Sequence, residues 1–211
     1  MSENYDAILL PTGETSFGDR TFPVSQEVIA LFNTGKYGCI FITGGYSGFS
    51  RLIPGESKSE ADGTVEYLLG RNIPEERVYS DSQSLETIGN FTFPMVHPAE
   101  GNPNISDFKK MLIVGKEGHM WRVRDYSDLV FAQKENQVYF YTVPGRHNDG
   151  LLARVYHPAI MRALRKLKDP CAENIHQFLL EKHPFYSEGW HDKSLFRRKL
   201  EMSLVGLGWL V

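Results

Sequence analysis

Short apolar runs alternate along the chain with stretches of helical spacing, and that alternation predicts the elements in order. Tyr5-Asp-Ala-Ile-Leu-Leu-Pro11 is an apolar run closed by proline and glycine, the pattern of a buried strand. Residues 24–32 place Val24, Val28, Ile29, Leu31 and Phe32 at helical spacing, with Gly35 as the stop. A second buried strand, Cys39-Ile-Phe-Ile-Thr43, empties into Gly44-Gly45-Tyr46-Ser47-Gly48, a loop by composition. Ser57-Lys-Ser-Glu60 fits a capping box and opens a helix carrying Ala61, Val65, Leu68 and Leu69 that stops near Gly70. A third short strand is predicted over 77–79 and a third helix over 84–91, ended before Pro94. Residues 97–106 read as a surface loop, 110–115 as the fourth strand, 119–131 as a helix and 138–143 as the fifth strand. Beyond Gly145 the strand pattern stops, and 151–167, 171–180 and 193–205 all have helical spacing.

Strand–helix alternation predicts an α/β fold: a parallel sheet of about five strands with helices on both faces. That unit spans residues 1–150, and a helical extension, 151–211, packs on the same domain. In such sheets ligands bind beyond the carboxyl ends of the strands, near the point where strand order reverses. The rule selects residues 12–20, 44–60, 80–90, 115–122 and 144–149.

Composition narrows the partners. With 211 residues, 41% hydrophobic and 23% charged, the chain has an ordinary globular make-up, and 19 Gly and 11 Pro exclude a long coiled coil. A net charge of −3 offers no electrostatic footprint for nucleic acid. No run approaches the roughly 18 apolar residues of a membrane helix, and from the acidic start, Met1-Ser-Glu-Asn-Tyr-Asp6, no signal peptide is expected. Cys39 and Cys171 form neither a CxxC pair nor a disulfide framework. The expectation is a cytoplasmic protein with no nucleic-acid and no membrane partner.

Four constellations fall at the predicted strand ends. Thr43-Gly44-Gly45, with Ser57 and Glu60 behind it, suits an anion held by backbone N–H groups at a helix N-terminus, and equally a tight turn with an ordinary cap. Ser84-x-x-Thr87-x-x-Asn90 puts three polar groups on one helix face, or caps the helix locally. His119-Met-Trp-Arg122 follows the fourth strand, where a His acts as acid or base and an Arg holds a phosphate; a helix cap with a surface ion pair is the plainer alternative. Arg146-His147-Asn148-Asp149 contains a His-x-Asp fragment, but no third metal ligand stands at a recognisable spacing. Walker A, G-x-G-x-x-G, nucleophile-elbow and His-Glu-x-x-His signatures are absent.

Taken in order, four blocks resemble the YdcF-like family, related to SanA and ElyC. They are Asp6-Ala-Ile-Leu-Leu10; Leu31-Phe-Asn-Thr-Gly35-Lys36 through Ile40-Phe-Ile-Thr-Gly44-Gly45; Ser59-Glu60-Ala61 through Ile73-Pro-Glu-Glu-Arg77-Val78 to Ser84-x-x-Thr87-x-x-Asn90; and Leu112-Ile-Val114 with His119-Met-x-Arg122. The likeness covers about residues 5–143. It implies a Rossmann-like domain with a polar pocket at the strand ends, and binding of S-adenosylmethionine or another nucleotide. By position it implies Gly44, Gly45, Thr87, Asn90 and Arg122 as cofactor-binding residues, with Glu60 and His119 as the catalytic candidates. The chain departs from the family in lacking an Arg near Val24 and in reducing the first glycine-rich segment to Thr12-Gly-Glu14. Residues 46–57 and the tail beyond 150 are further departures.

The leading expectation is a protein that binds a small anionic, nucleotide-like molecule. A hydrolase or transferase acting on a phosphoester or nucleotide sugar is the first alternative. The second is a non-catalytic interaction protein whose helical tail, ending in Leu204-Val-Gly-Leu-Gly-Trp-Leu-Val211, packs on the core or forms a homodimer surface.

Overall fold

The structure is a computed structural model, and it describes residues 4–11, 22–45, 58–145, 151–186, 197 and 201. Five strands appear where the apolar runs stand: β1 (Tyr5–Pro11), β2 (Tyr37–Thr43), β3 (Val78–Asp81), β4 (Lys110–Lys116) and β5 (Gln137–Val143). The helices are α1 (Phe22–Phe32), α2 (Glu60–Leu69), α3 (Gly89–Val96), α4 (Glu117–Phe131), α5 (Leu151–Arg165) and α6 (Ala172–Lys182). All strand pairs are parallel, in the order β3-β2-β1-β4-β5. The chain winds outward from β1 through β2 to β3, then crosses back to lay β4 on the other side of β1. This is a Rossmann-like α/β sheet, and its order reverses between β1 and β4.

Side-chain alternation divides the core. Ala7, Leu9, Cys39, Phe41, Met111 and Ile113 face one side, with Ile88 and Phe91 of the α3 region and Met120, Val123 and Tyr126 of α4. Ile8, Leu10, Ile40, Ile42, Leu112 and Val114 face the other, against Val24 and Val28 of α1 and Ala61 and Leu68 of α2. A strand covered on both faces has no polar side to alternate, which is why β1, β2 and β4 read as continuous apolar runs. β5 is an edge strand and does alternate, leaving Tyr139 and Tyr141 exposed.

The extension is part of this core. Tyr156, Ile160 and Leu164 of α5 and Ile175 and Leu179 of α6 belong to the same apolar cluster as Leu9 and Phe41. Directly after α6, His183 accepts the Phe185 N–H at Nδ1 (3.2 Å) and meets the Tyr156 hydroxyl at Nε2. A neutral imidazole accepting at Nδ1 carries its proton on Nε2, so Tyr156 oxygen is the acceptor. Burial pushes the His183 pKa down to about 3.

Two expected boundaries are corrected. The α2 cap is Ser59 rather than Ser57: Ser59 Oγ accepts the Asp62 N–H (3.0 Å) and Asp62 returns the bond to the Ser59 N–H (3.2 Å). Ser57 itself lies outside the described residues. The third helix starts at Gly89, not 84, and runs through Pro94. Residues 82–88 are held instead as a loop by tertiary bonds, described below. Of the helix expected over 193–205, only Arg197 and Glu201 are described; both are helical and pair at 3.0 Å. Residues 12–20, 46–57 and 146–149 fall outside the described residues. No helix among those described is long and apolar enough to cross a membrane.

Gly45 tests how tightly β2 is tied to this loop. A Cβ there would overlap the carbonyl oxygens of Ser82 and Ser84, which are backbone and cannot swing aside. Gly45→Ala is expected to cost about 2–3 kcal/mol by overpacking, lowering the melting temperature by roughly 4–12 °C for a chain of this size. Calorimetric melting measures it; an unchanged midpoint would refute the close approach.

Candidate functional site

The site grows from the way β2 ends. The Gly44 N–H donates to the Asp81 carbonyl (2.9 Å) and the Gly45 N–H to the Ser84 carbonyl (2.8 Å). Their own carbonyls receive the first turn of α2: Glu60 N–H on Gly45 (3.1 Å) and Ala61 N–H on Gly44 (2.9 Å). With the reciprocal Ser59–Asp62 cap, the first four N–H groups of α2 all have protein acceptors. The expected anion cradle is therefore filled from within. Gly44, Gly45 and the α2 N-terminus clasp strand, loop and helix together, and their N–H groups are spent.

The loop so clasped carries a carboxylate that local sequence did not single out. Glu86 is half-buried and accepts the N–H groups of Ile88 and Gly89, each at 2.7 Å, capping α3 from below its first turn. Tyr186, from the far end of the chain, accepts the Leu85 N–H (3.0 Å) and donates to Glu86 (3.4 Å). Gly89 makes the room: a methyl there would stand 2.5 Å from the Tyr186 oxygen and 2.9 Å from a Glu86 oxygen. Burial pushes the Glu86 pKa up to about 7, although the two N–H groups, Tyr186 and the Arg122 guanidinium all pull it down. Burial and the Glu86 charge in turn push the Tyr186 and Tyr126 hydroxyls up.

His119 and Arg122 stand at the reversal point of the sheet, because α4 begins directly after β4 with no intervening loop. Arg122 Nη2 meets His119 Nδ1 at 2.9 Å. A guanidinium only donates, so Nδ1 accepts, and the neutral His119 ring carries its proton on Nε2. His119 is buried and Arg122 half-buried.

Ser84, Thr87 and Asn90 do not share a helix face, since only Asn90 is helical. All three are nonetheless buried, and the Ser84 hydroxyl bonds to Asn90 Oδ1. The structure thus gathers Gly44, Gly45, Glu60, Ser84 and Asn90 around one junction and His119 with Arg122 at another. Glu86 joins the two electrostatically, through its interaction with Arg122. Asp81, buried at the end of β3, is a second carboxyl that sequence reasoning passed over; burial raises its pKa against two bonds from Gln83, each 3.0 Å. The signal for Glu86 was present as an acid three residues before a helix start. Tyr186 had none, for its contacts cross about a hundred residues of sequence.

The Glu86 pKa has a stability consequence. It is raised in the folded protein, to about 7 from an ordinary 4.5, so the folded state holds the extra proton between those values. Stability from this group is present at low pH and lost as pH rises through 7. Relative to Glu86→Gln, the natural protein is expected to be more favoured at pH 5 than at pH 8. Urea unfolding at both pH values measures it, and an equal difference at both would contradict the assignment.

No protein-family model matches this sequence, and no curated protein matches it.

Proposed function

We propose that this chain binds a small anionic, nucleotide-like molecule at the carboxyl edge of its sheet, S-adenosylmethionine or a related nucleotide being the class that the YdcF-like likeness implies. The observation carrying this reading is the 2.9 Å pair of Arg122 and His119 in the opening turns of α4, where strand order reverses. That crevice is where open α/β sheets hold their ligands.

With the glycine-turn N–H groups spent, negative charge on the ligand falls to Arg122. Its planar fork suits a carboxylate or a phosphate, and S-adenosylmethionine offers the former. His119, with Nδ1 turned to the guanidinium, serves as a donor through Nε2. Gly44, Gly45 and Glu60 shape the edge, while Thr87 and Asn90 hold the buried side of the neighbouring loop.

A second reading, a hydrolase or transferase acting on a phosphoester or nucleotide sugar, draws support from Glu86. A carboxyl with a pKa near 7 beside an arginine is poised to give and take a proton at neutral pH. In this reading Glu86 takes the role first expected of Glu60.

A thermal-shift panel of S-adenosylmethionine, ATP, UDP-glucose and ribose 5-phosphate tests the binding. A ligand at 100 times its dissociation constant stabilises by about 2.7 kcal/mol, which is roughly 5–10 °C for this size of chain. The shift is expected in the natural protein and is expected to vanish in Arg122→Gln, whose circular dichroism stays native. A full shift in that variant would refute the proposed site.

A further inference from the structure

α4 and α5 leave an open groove of about 590 Å³ between them, and its chemistry differs from that of the carboxyl edge. The floor is apolar: Trp121, Pro158 and Met161. Trp121 keeps 36% of its surface exposed, unusual for so large an apolar side chain. It is held in place, because the His157 ring packs edge-on against it at 4.6 Å. His157 is fixed in turn by Asp125 (2.8 Å) and by the Tyr126 ring (4.7 Å).

The wall is cationic. Arg162 and Arg165 line it from the last turn of α5, and Lys166 from the residue that follows the helix. Arg162 and Arg165, three residues apart, share one helix face, and Lys166 lines the same groove. Each is exposed, and none makes an ion pair or side-chain hydrogen bond among the described residues. A helix C-terminus favours cations, but three like charges converging unpaired on one groove also repel one another. Among the described residues lining the groove, the one carboxylate is Asp125, and it is engaged by His157.

We propose that this groove is a second ligand site that takes a phosphate ester of a planar ring compound, a nucleoside phosphate in the simplest case. Cations within four residues of one another match a single group of charge near −2 better than carboxylates spread along a peptide. Arginine forks grip phosphate in a bidentate manner. The flat floor of indole, proline and methionine accepts the ring, and the volume is that of a small-molecule site. Neither His119 nor Arg122 lines it, so it is independent of the carboxyl-edge reading.

The test follows tryptophan emission of the full chain during titration with ADP, adenosine and inorganic phosphate. ADP is expected to change the emission saturably. The response should be absent in Trp121→Phe, weakened by about tenfold or more in Arg162→Gln/Arg165→Gln, and unchanged in Arg122→Gln. Adenosine and inorganic phosphate should each bind about tenfold or more weakly than ADP, because each lacks one half of the recognised group. The substituted arginines are exposed, so the variant folds, which circular dichroism checks. No response to ADP, or an undiminished one in the double variant, overturns the site. A response lost in Arg122→Gln instead assigns the signal to the carboxyl edge and equally overturns it.

Discussion

The end of β2 must satisfy its backbone polar groups where the chain turns out of the sheet, and the rest of this architecture depends on how it does so. Two glycines hand their N–H groups to β3 and to the loop after it, and their carbonyls to α2. Four hydrogen bonds of 2.8–3.1 Å therefore lock three elements at one point. Burying such groups without partners would cost about 1–3 kcal/mol each. The arrangement is stabilising because it is closed, and being closed it cannot also serve an anion. In the proposed reading, recognition of charge passes to side chains at the end of β4, two strands across the sheet, at Arg122 and His119.

A single half-buried carboxyl, that of Glu86, then links the structural and the chemical parts. Glu86 caps α3, receives Tyr186 from the extension and answers electrostatically to Arg122. Its position explains why the extension belongs to the domain. Without Tyr186, the Leu85 N–H and one oxygen of Glu86 would lose a protein partner. The polar edge of the sheet and the helical tail are parts of one bonded network.

Much of this was legible in the chain, and the limits of legibility are physical. β1, β2 and β4 announced themselves because a strand buried on both faces needs an unbroken apolar run. α4 and its His119–Arg122 pair were legible because residues three apart on a helix are neighbours. The errors came where distant partners outweighed local preference. Ser84 has the spacing of a helix start, yet its carbonyl is claimed by Gly45 and its hydroxyl by Asn90. The α2 cap slipped from Ser57 to Ser59 because Asp62 completes the reciprocal bond as well as Glu does. At Gly45 the residue that must be small faces the protein's own backbone, the Ser82 and Ser84 carbonyls, rather than an anion.

Tyr186 also places the site in time. The Leu85 N–H and Glu86 meet it across separations of 101 and 100 residues. A ribosome adding about 5–20 residues per second reaches it some 5–20 s after the loop has been made. During that interval the strands can pair and the glycine clasp can close, while the α3 entrance still faces water. The α3 entrance thus completes its hydrogen bonds only after Tyr186 has been made: nascent chain that already has its sheet still lacks the Leu85 and Glu86 partner.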